Sequence, residues 1–150
     1  MSRPIASTVE IARPPDVVFA YAVDPSRFGE WQRGVVEGHL EGPAPPTVGT
    51  ICKMTRRQGA MKQTSTSRVI EIDPPRTWAI HGIDGPIRAD VRVVVEPLDT
   101  ATRSKITIQL EFSGSGFGRL ILPLVQRQAE REVPQSCRKL KERLEAGDVS

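Results

Sequence analysis

Acid–base chemistry near neutral pH begins with histidine, and this chain has two, His39 and His81. Neither belongs to a catalytic or metal frame: HExxH and paired HxH spacings are absent. In TWAIHGI, alternation puts Trp78 and Ile80 on one face and His81 on the other. With Trp78 and Ile80 inward, His81 faces solvent or a sheet edge. His39, in EGHLEG, reads as a surface residue. Two carboxylates sit between apolar neighbours, Glu71 in VIEI and Asp90 in RADV. Asp90 and Arg92 share a face opposite Val91 and Val93, which predicts a charged outer sheet face. Glu71 points outward if both flanking isoleucines point inward. A β-bulge would instead carry one of these acids inside, where desolvation raises its pKa.

Cys52 and Cys137 have no adjacent base and form no CxxC pair, so they read as buried free thiols. No zinc site or disulfide framework is expected. The glycines of SGSGFG (113–118) do not have the strand–turn–helix spacing of a phosphate loop, so no nucleotide site is read there and the segment reads as a flexible lid or hinge. For the one tyrosine, Tyr21, packing and function both remain open. The residues therefore assign no catalytic set, no metal and no cofactor.

The elements that would hold a site follow from periodicity. Residues 5–11 alternate and are rich in β-branched types, as a strand requires. Pro14-Pro15-Asp16 then starts a helix, with proline tolerated in the first turn and an acid near the positive end. Asp24-Pro25 stops it, and 25–32 makes a second short helical piece. Strands are predicted at 35–41, 50–57, 62–72, 77–82, 87–96 and 104–112. The alternation of Ile106, Ile108, Leu110 and Phe112 against Thr107, Gln109 and Glu111 predicts an antiparallel sheet with one buried face. Residues 119–145 form a long helix with a stripe at Leu122, Val125, Ala129, Val133, Cys137, Leu140 and Leu144. Pro123 is tolerable in its first turn, and Pro134 is expected to kink or split it. The long helix is the element large enough to cover the sheet.

The 150 residues are expected to form one domain. A net charge of +3 without a basic run of five excludes an evident nucleic-acid footprint. The absence of an apolar signal segment, or of an apolar run reaching ~18 residues, predicts a cytoplasmic chain without stable membrane insertion. The oligomeric state, a homodimer included, stays open.

IARPPDVVFAYAVDPSRFGEW (11–31), RVIEIDPPR (68–76) and ILPLVQRQAEREVPQSCRKLKERLE (121–145) carry a family likeness. In these stretches and in element order the chain resembles the START-like (SRPBCC, helix-grip) superfamily, in its polyketide cyclase/dehydrase-like branch. The resemblance implies an α+β helix-grip fold: a strongly bent antiparallel sheet of about seven strands wrapped on the C-terminal helix, with two short helices after strand 1. It also implies an apolar cavity that takes a small hydrophobic or aromatic molecule, with cyclase or dehydrase activity in some members. With aromatic residues at only 5%, few large side chains are available to fill such an interior. The expected lining is Met54, Trp78, Ile80, Val91, Val93, Ile108 and Leu110 from the strands and Phe117, Leu120, Ile121 and Leu124 from the helix. Each of these would equally serve a plain core. Trp31 reads as an anchor at the joint after the short helices, bordering the cavity mouth.

Two other functions suit the pattern. A non-enzymatic interaction module, co-chaperone-like, would use Arg127, Arg131, Arg138, Lys139, Lys141 and Arg143. Against it, Glu130, Glu132, Glu142 and Glu145 interleave at pairing distance along a helix. A lipid carrier would use FGRLILPLV (117–125) for transient membrane contact.

Overall fold

The computed structural model describes residues 3–147. Within them β1 Ile5–Ile11 is followed by helix α1 Pro15–Ala22 and a 3-10 helix Pro25–Glu30. A run of strands comes next: β2 Val35–Glu41, β3 Ile51–Gln58, β4 Met61–Asp73, β5 Thr77–Gly82, β6 Ile87–Leu98 and β7 Arg103–Gly114. Helix α2, Phe117–Ala146, ends the described chain. The curled antiparallel sheet has the order β1-β7-β6-β5-β4-β3-β2, so β2 to β7 form a meander and β1 closes on β7. This is the helix-grip architecture expected from the sequence.

Local chemistry explains the starts and stops. Pro14 caps α1 in an extended conformation, with Pro15 at its first position and Asp16 in its first turn. The Asp24 carboxylate accepts from Ser26 N at 3.0 Å and from Ser26 Oγ at 2.6 Å, which caps the 3-10 helix. That helix lies against β2 at Gly38, where an added Cβ would meet the Pro25 carbonyl oxygen at 2.5 Å. Only glycine permits this approach.

The packed core sits at one end. Ile11, Val18, Phe19, Val69, Val95, Ile106, Leu140 and Leu144 are buried where α1, the 3-10 helix and the last turns of α2 converge on the sheet. Along α2 the pattern changes. Cys137, Leu140 and Leu144 are fully buried, whereas no side chain from Arg119 to Ser136 is. The inward stripe there, Leu122, Val125, Ala129 and Val133, is only half-buried.

Three expectations need correction. Helix α2 is not split by either proline, and Pro123 is its seventh residue rather than part of its first turn. Pro123 and Pro134 each leave one i−4 carbonyl without its helical N–H, but those carbonyls belong to the exposed residues Arg119 and Glu130, where water can satisfy them. The glycines of 113–118 form a tight junction rather than a loose hinge. Gly118 is buried, a Cβ on it would lie 2.1 Å from Pro86 O, and Ser115 N donates to the same oxygen at 3.1 Å. Finally, β4 does contain a bulge, between Val69 and Glu71, yet it brings no acid inside. The extra residue turns Ile70 outward, 48% exposed, so that Val69 and Ile72 both face the core and Glu71 stays out. Ile70 is therefore not an inward neighbour of Glu71.

Candidate functional site

The side chains proposed for the lining fall into three groups. Trp78, Ile80, Val93 and Ile108 are buried in the packed core. Met54, Val91, Leu110 and Ile121 are half-buried, and Met54 and Val91 pack against that core. Phe117, Leu120 and Leu124 are 66%, 79% and 66% exposed, so they are not part of an enclosed wall. The reason lies in helical phase. Leu120 and Leu124 are two and one residues away from the inward positions Leu122 and Val125 and turn to the outside.

Trp31 closes the 3-10 helix and is buried. Its ring meets Phe28 edge-on at 5.8 Å, and Phe28 meets Trp78 in the same manner at 6.2 Å. This aromatic chain fastens the 3-10 helix to β5. Its indole Nε1 has no hydrogen-bond partner among the described residues, an uncommon state for a buried donor.

Beside Trp31 a cleft of about 280 Å³ opens between the 3-10 joint and α2, lined by Gly29, Glu30, Trp31, Gln32, Arg33, Gln135, Ser136 and Lys139. Gln135 and Lys139 belong to one side of α2, whose residues recur at 117, 121, 124, 128, 132, 135 and 139. That side is apolar at its start (Phe117, Ile121, Leu124) and polar further on (Gln128, Glu132, Gln135, Lys139).

Arg56, on β3, lies within electrostatic reach of this side at Glu132. In β3, Cys52 is buried and Met54 packs on the core, so the alternation sends Arg56 inward as well. Its Nη2 donates to Gln32 Oε1 at 3.1 Å and its Nη1 to the Arg33 carbonyl at 3.3 Å. Desolvation by burial pulls the guanidinium pKa down, and the charge of Glu132 opposes that. Glu132 itself accepts from Gln128 Nε2 at 3.3 Å. Among the described residues no carboxylate lies within ion-pair distance of Arg56. A charged fork of donors thus stands at the border of an apolar interior with donors to spare.

The other reactive side chains lie elsewhere. His81 hydrogen-bonds its cross-strand neighbour Asp90 on the outer face, and Arg92 pairs with Glu71 there at 2.8 Å. His39 is exposed. Cys52 and Cys137 are free and buried, and desolvation pushes the Cys52 thiol up to about 11. No cluster of three potential metal ligands occurs among the described residues. Tyr21 is packed: its hydroxyl donates to Glu30 Oε1 at 2.9 Å beneath Arg27, whose guanidinium lies 5.0 Å from the ring centre.

The sequence matches the family model described as polyketide cyclase / dehydrase and lipid transport over residues 4–145. The chain belongs to the polyketide cyclase/dehydrase and lipid transport family. No curated protein matches it. Among solved structures it is similar to the protein TTHA0849 of Thermus thermophilus, at 18% identity and a TM-score of 0.76, covering 97% of this chain and 99% of that one. It is also similar to a START superfamily protein of Mycobacterium smegmatis, at 13% identity and TM-score 0.76, with 97% and 99% coverage. The ZhuI aromatase/cyclase of Streptomyces sp. R1128 aligns at 16% identity and TM-score 0.73, with 99% of both chains covered. These likenesses concern the fold. Arg56 is a candidate site residue absent from the lining expected from the sequence. The signal was present, because the period of two that puts Met54 inside also puts Arg56 inside. No helix among the described residues is long and apolar enough to cross a membrane.

Proposed function

We propose that this protein binds a small hydrophobic or aromatic molecule with a polar, acceptor-bearing end, held between α2 and the β3–β5 wall. One observation carries the reading: the first half of α2 presents an apolar inward stripe that nothing fully buries, while its second half is sealed. A chain that needed only stability would close that interior, since each half-buried aliphatic forgoes part of the ~1.5–3 kcal/mol of full burial. Arg56 supplies the orienting group. Its free donors suit a carboxylate, a phenolate or an enolate, and the two residues that hold it, Gln32 and Arg33, line the cleft beside Trp31. Family membership supports the ligand class.

The test uses native mass spectrometry for a co-purified small molecule, together with titration of the anionic aromatic probe 1-anilinonaphthalene-8-sulfonate. Saturable one-to-one binding is expected. Arg56→Met should weaken it about 10- to 100-fold, the effect of losing a charge-assisted hydrogen bond, and leave a neutral aromatic probe unaffected. Absence of both a retained molecule and saturable binding refutes the proposal.

A catalytic version has its own observation. Arg56 on β3 and Glu132 on α2 are charged groups within electrostatic reach of one another, and a guanidinium beside a keto group stabilises enolate character in the cyclisation of a poly-keto chain. Turnover of such a substrate, lost in Arg56→Met with binding of a neutral product analogue retained, separates an enzyme from a carrier.

A further inference from the structure

The end of the barrel where α2 begins has a surface of its own. The β3–β4 hairpin turns at Gly59 and exposes Met61 at 76%. The start of α2 exposes Phe117, Leu120 and Leu124. The β5–β6 loop joins these elements: Ile83 N donates to Thr66 O in β4 at 3.0 Å, and Ser115 N, just before α2, donates to Pro86 O at 3.1 Å. Both apolar tips therefore lie at the same end.

Charge is segregated there. No Asp or Glu occurs from Ile51 to Ile70 or from Phe112 to Ala129. The same stretches carry Arg57, Lys62, Arg119 and Arg127, all exposed. The acid in the joining loop, Asp84, accepts from Thr66 N at 2.9 Å. The interleaved glutamates expected to neutralise α2 do not reach Arg127. Glu130 pairs with Arg3 at 3.4 Å, and Glu132 accepts from Gln128. Arg127 makes no ion pair among the described residues.

We propose that this rim docks on bilayers containing anionic phospholipid, with Met61, Phe117, Leu120 and Leu124 entering the headgroup layer and the surrounding cations meeting phosphates. Separate apolar tips ringed by positive charge suit a soft anionic layer. A folded partner would need a matching hollow for each tip. The docking is independent of whether the cleft holds a ligand.

Flotation of the full chain with vesicles tests it, comparing phosphatidylcholine alone with phosphatidylcholine containing phosphatidylglycerol. Binding is expected only with the anionic lipid and falls as salt rises. Arg119→Gln with Arg127→Gln should weaken it at least tenfold, at about fivefold per cation. Met61→Gln, Leu120→Gln and Leu124→Gln together should weaken it at least tenfold as well. Val48→Gln, an exposed apolar residue at the opposite end, should bind as the parent does. Because all these side chains are exposed, circular dichroism should be unchanged. The proposal is overturned by no binding to anionic vesicles, by equal binding to neutral ones, or by variants that bind like the parent. It is equally overturned if soluble polyglutamate competes as well as the vesicles do, which would point to an acidic protein. Self-association lost in the leucine variants would overturn it in favour of a second copy of this chain.

Discussion

Gly118→Ala separates two accounts of how α2 is attached to the sheet. On helix propensity alone, alanine is better than glycine by up to about 1 kcal/mol, so the change should stabilise. A loose glycine hinge would give that result. The contact predicts the opposite. The new Cβ would stand 2.1 Å from Pro86 O and 2.7 Å from the carbonyl carbon, both main-chain atoms of the β5–β6 loop. To reach ordinary contact the loop or the helix must retreat by about 1 Å, an overpacking strain of about 1–3 kcal/mol. The retreat also stretches the Ser115 N to Pro86 O hydrogen bond, adding about 1 kcal/mol. Set against the propensity gain, the net loss is about 2 kcal/mol, a fall in Tm of roughly 4–8 °C for a chain of this size. Urea unfolding followed by circular dichroism should show a lower midpoint with an unchanged slope. A midpoint equal to or above that of the parent would refute the close-packed junction and restore the hinge.

Two further predictions concern the sealed end. Burial raises the Glu30 pKa, but the hydrogen bonds from Arg27 and Tyr21, the Arg27 charge and the bond from Arg143 together outweigh it and hold the carboxyl below its ordinary 4.5. A depressed acid stabilises the fold above its unfolded pKa and loses that contribution as pH falls through the folded one. Glu30→Gln should therefore cost about 1 kcal/mol at pH 7, discounted for the partial exposure of these side chains; the cost should begin to shrink as pH drops to 4.5 and vanish only below the depressed folded pKa; parallel stability–pH curves for the two proteins would contradict this. With its thiol pushed from 9.0 to about 11, Cys52 should react with a disulfide reagent at pH 8 about a hundredfold more slowly than a free thiol, and at the free rate once unfolded in guanidinium; rapid native labelling of Cys52 would show that β3 is not sealed there.

The sequence made the order of elements readable because most strands kept a period of two and prolines and acids marked where the short helices begin and end. Pro14-Pro15-Asp16 and Asp24-Pro25 acted locally, so their consequences could be read locally. What was not readable depended on contacts between distant residues. The place of Gly118 is set by a carbonyl 32 positions earlier, and nothing in SGSGFG distinguishes a hinge from a close approach. Pro134 did not split α2, because the one carbonyl it leaves without a helical N–H belongs to the exposed Glu130 and the helix beyond it is held by the buried Cys137, Leu140 and Leu144. The bulge at Ile70 kept Glu71 outside, where alternation alone leaves its side open. Arg56 was passed over because a charged residue does not register as part of an apolar wall, although its phase was known from Met54.

The 3-10 joint couples the two halves of the molecule. Glu30 is tied to α1 through Tyr21 and to α2 through Arg143, at 2.9 and 3.1 Å. The next residue, Trp31, is locked to β5 through Phe28. The two after it, Gln32 and Arg33, present the oxygens that hold Arg56. Stability gathered at the sealed end thereby fixes the acceptors that aim a guanidinium at the unsealed one. Trp31 is in this sense an anchor whose effect is felt at the cleft: truncating its ring would loosen the Gln32 and Arg33 acceptors before it removed any contact with a ligand. A loss of ligand affinity in a Trp31 variant would therefore not by itself make Trp31 a binding residue. Only a variant that kept Arg56 in place, and still lost affinity, would do that.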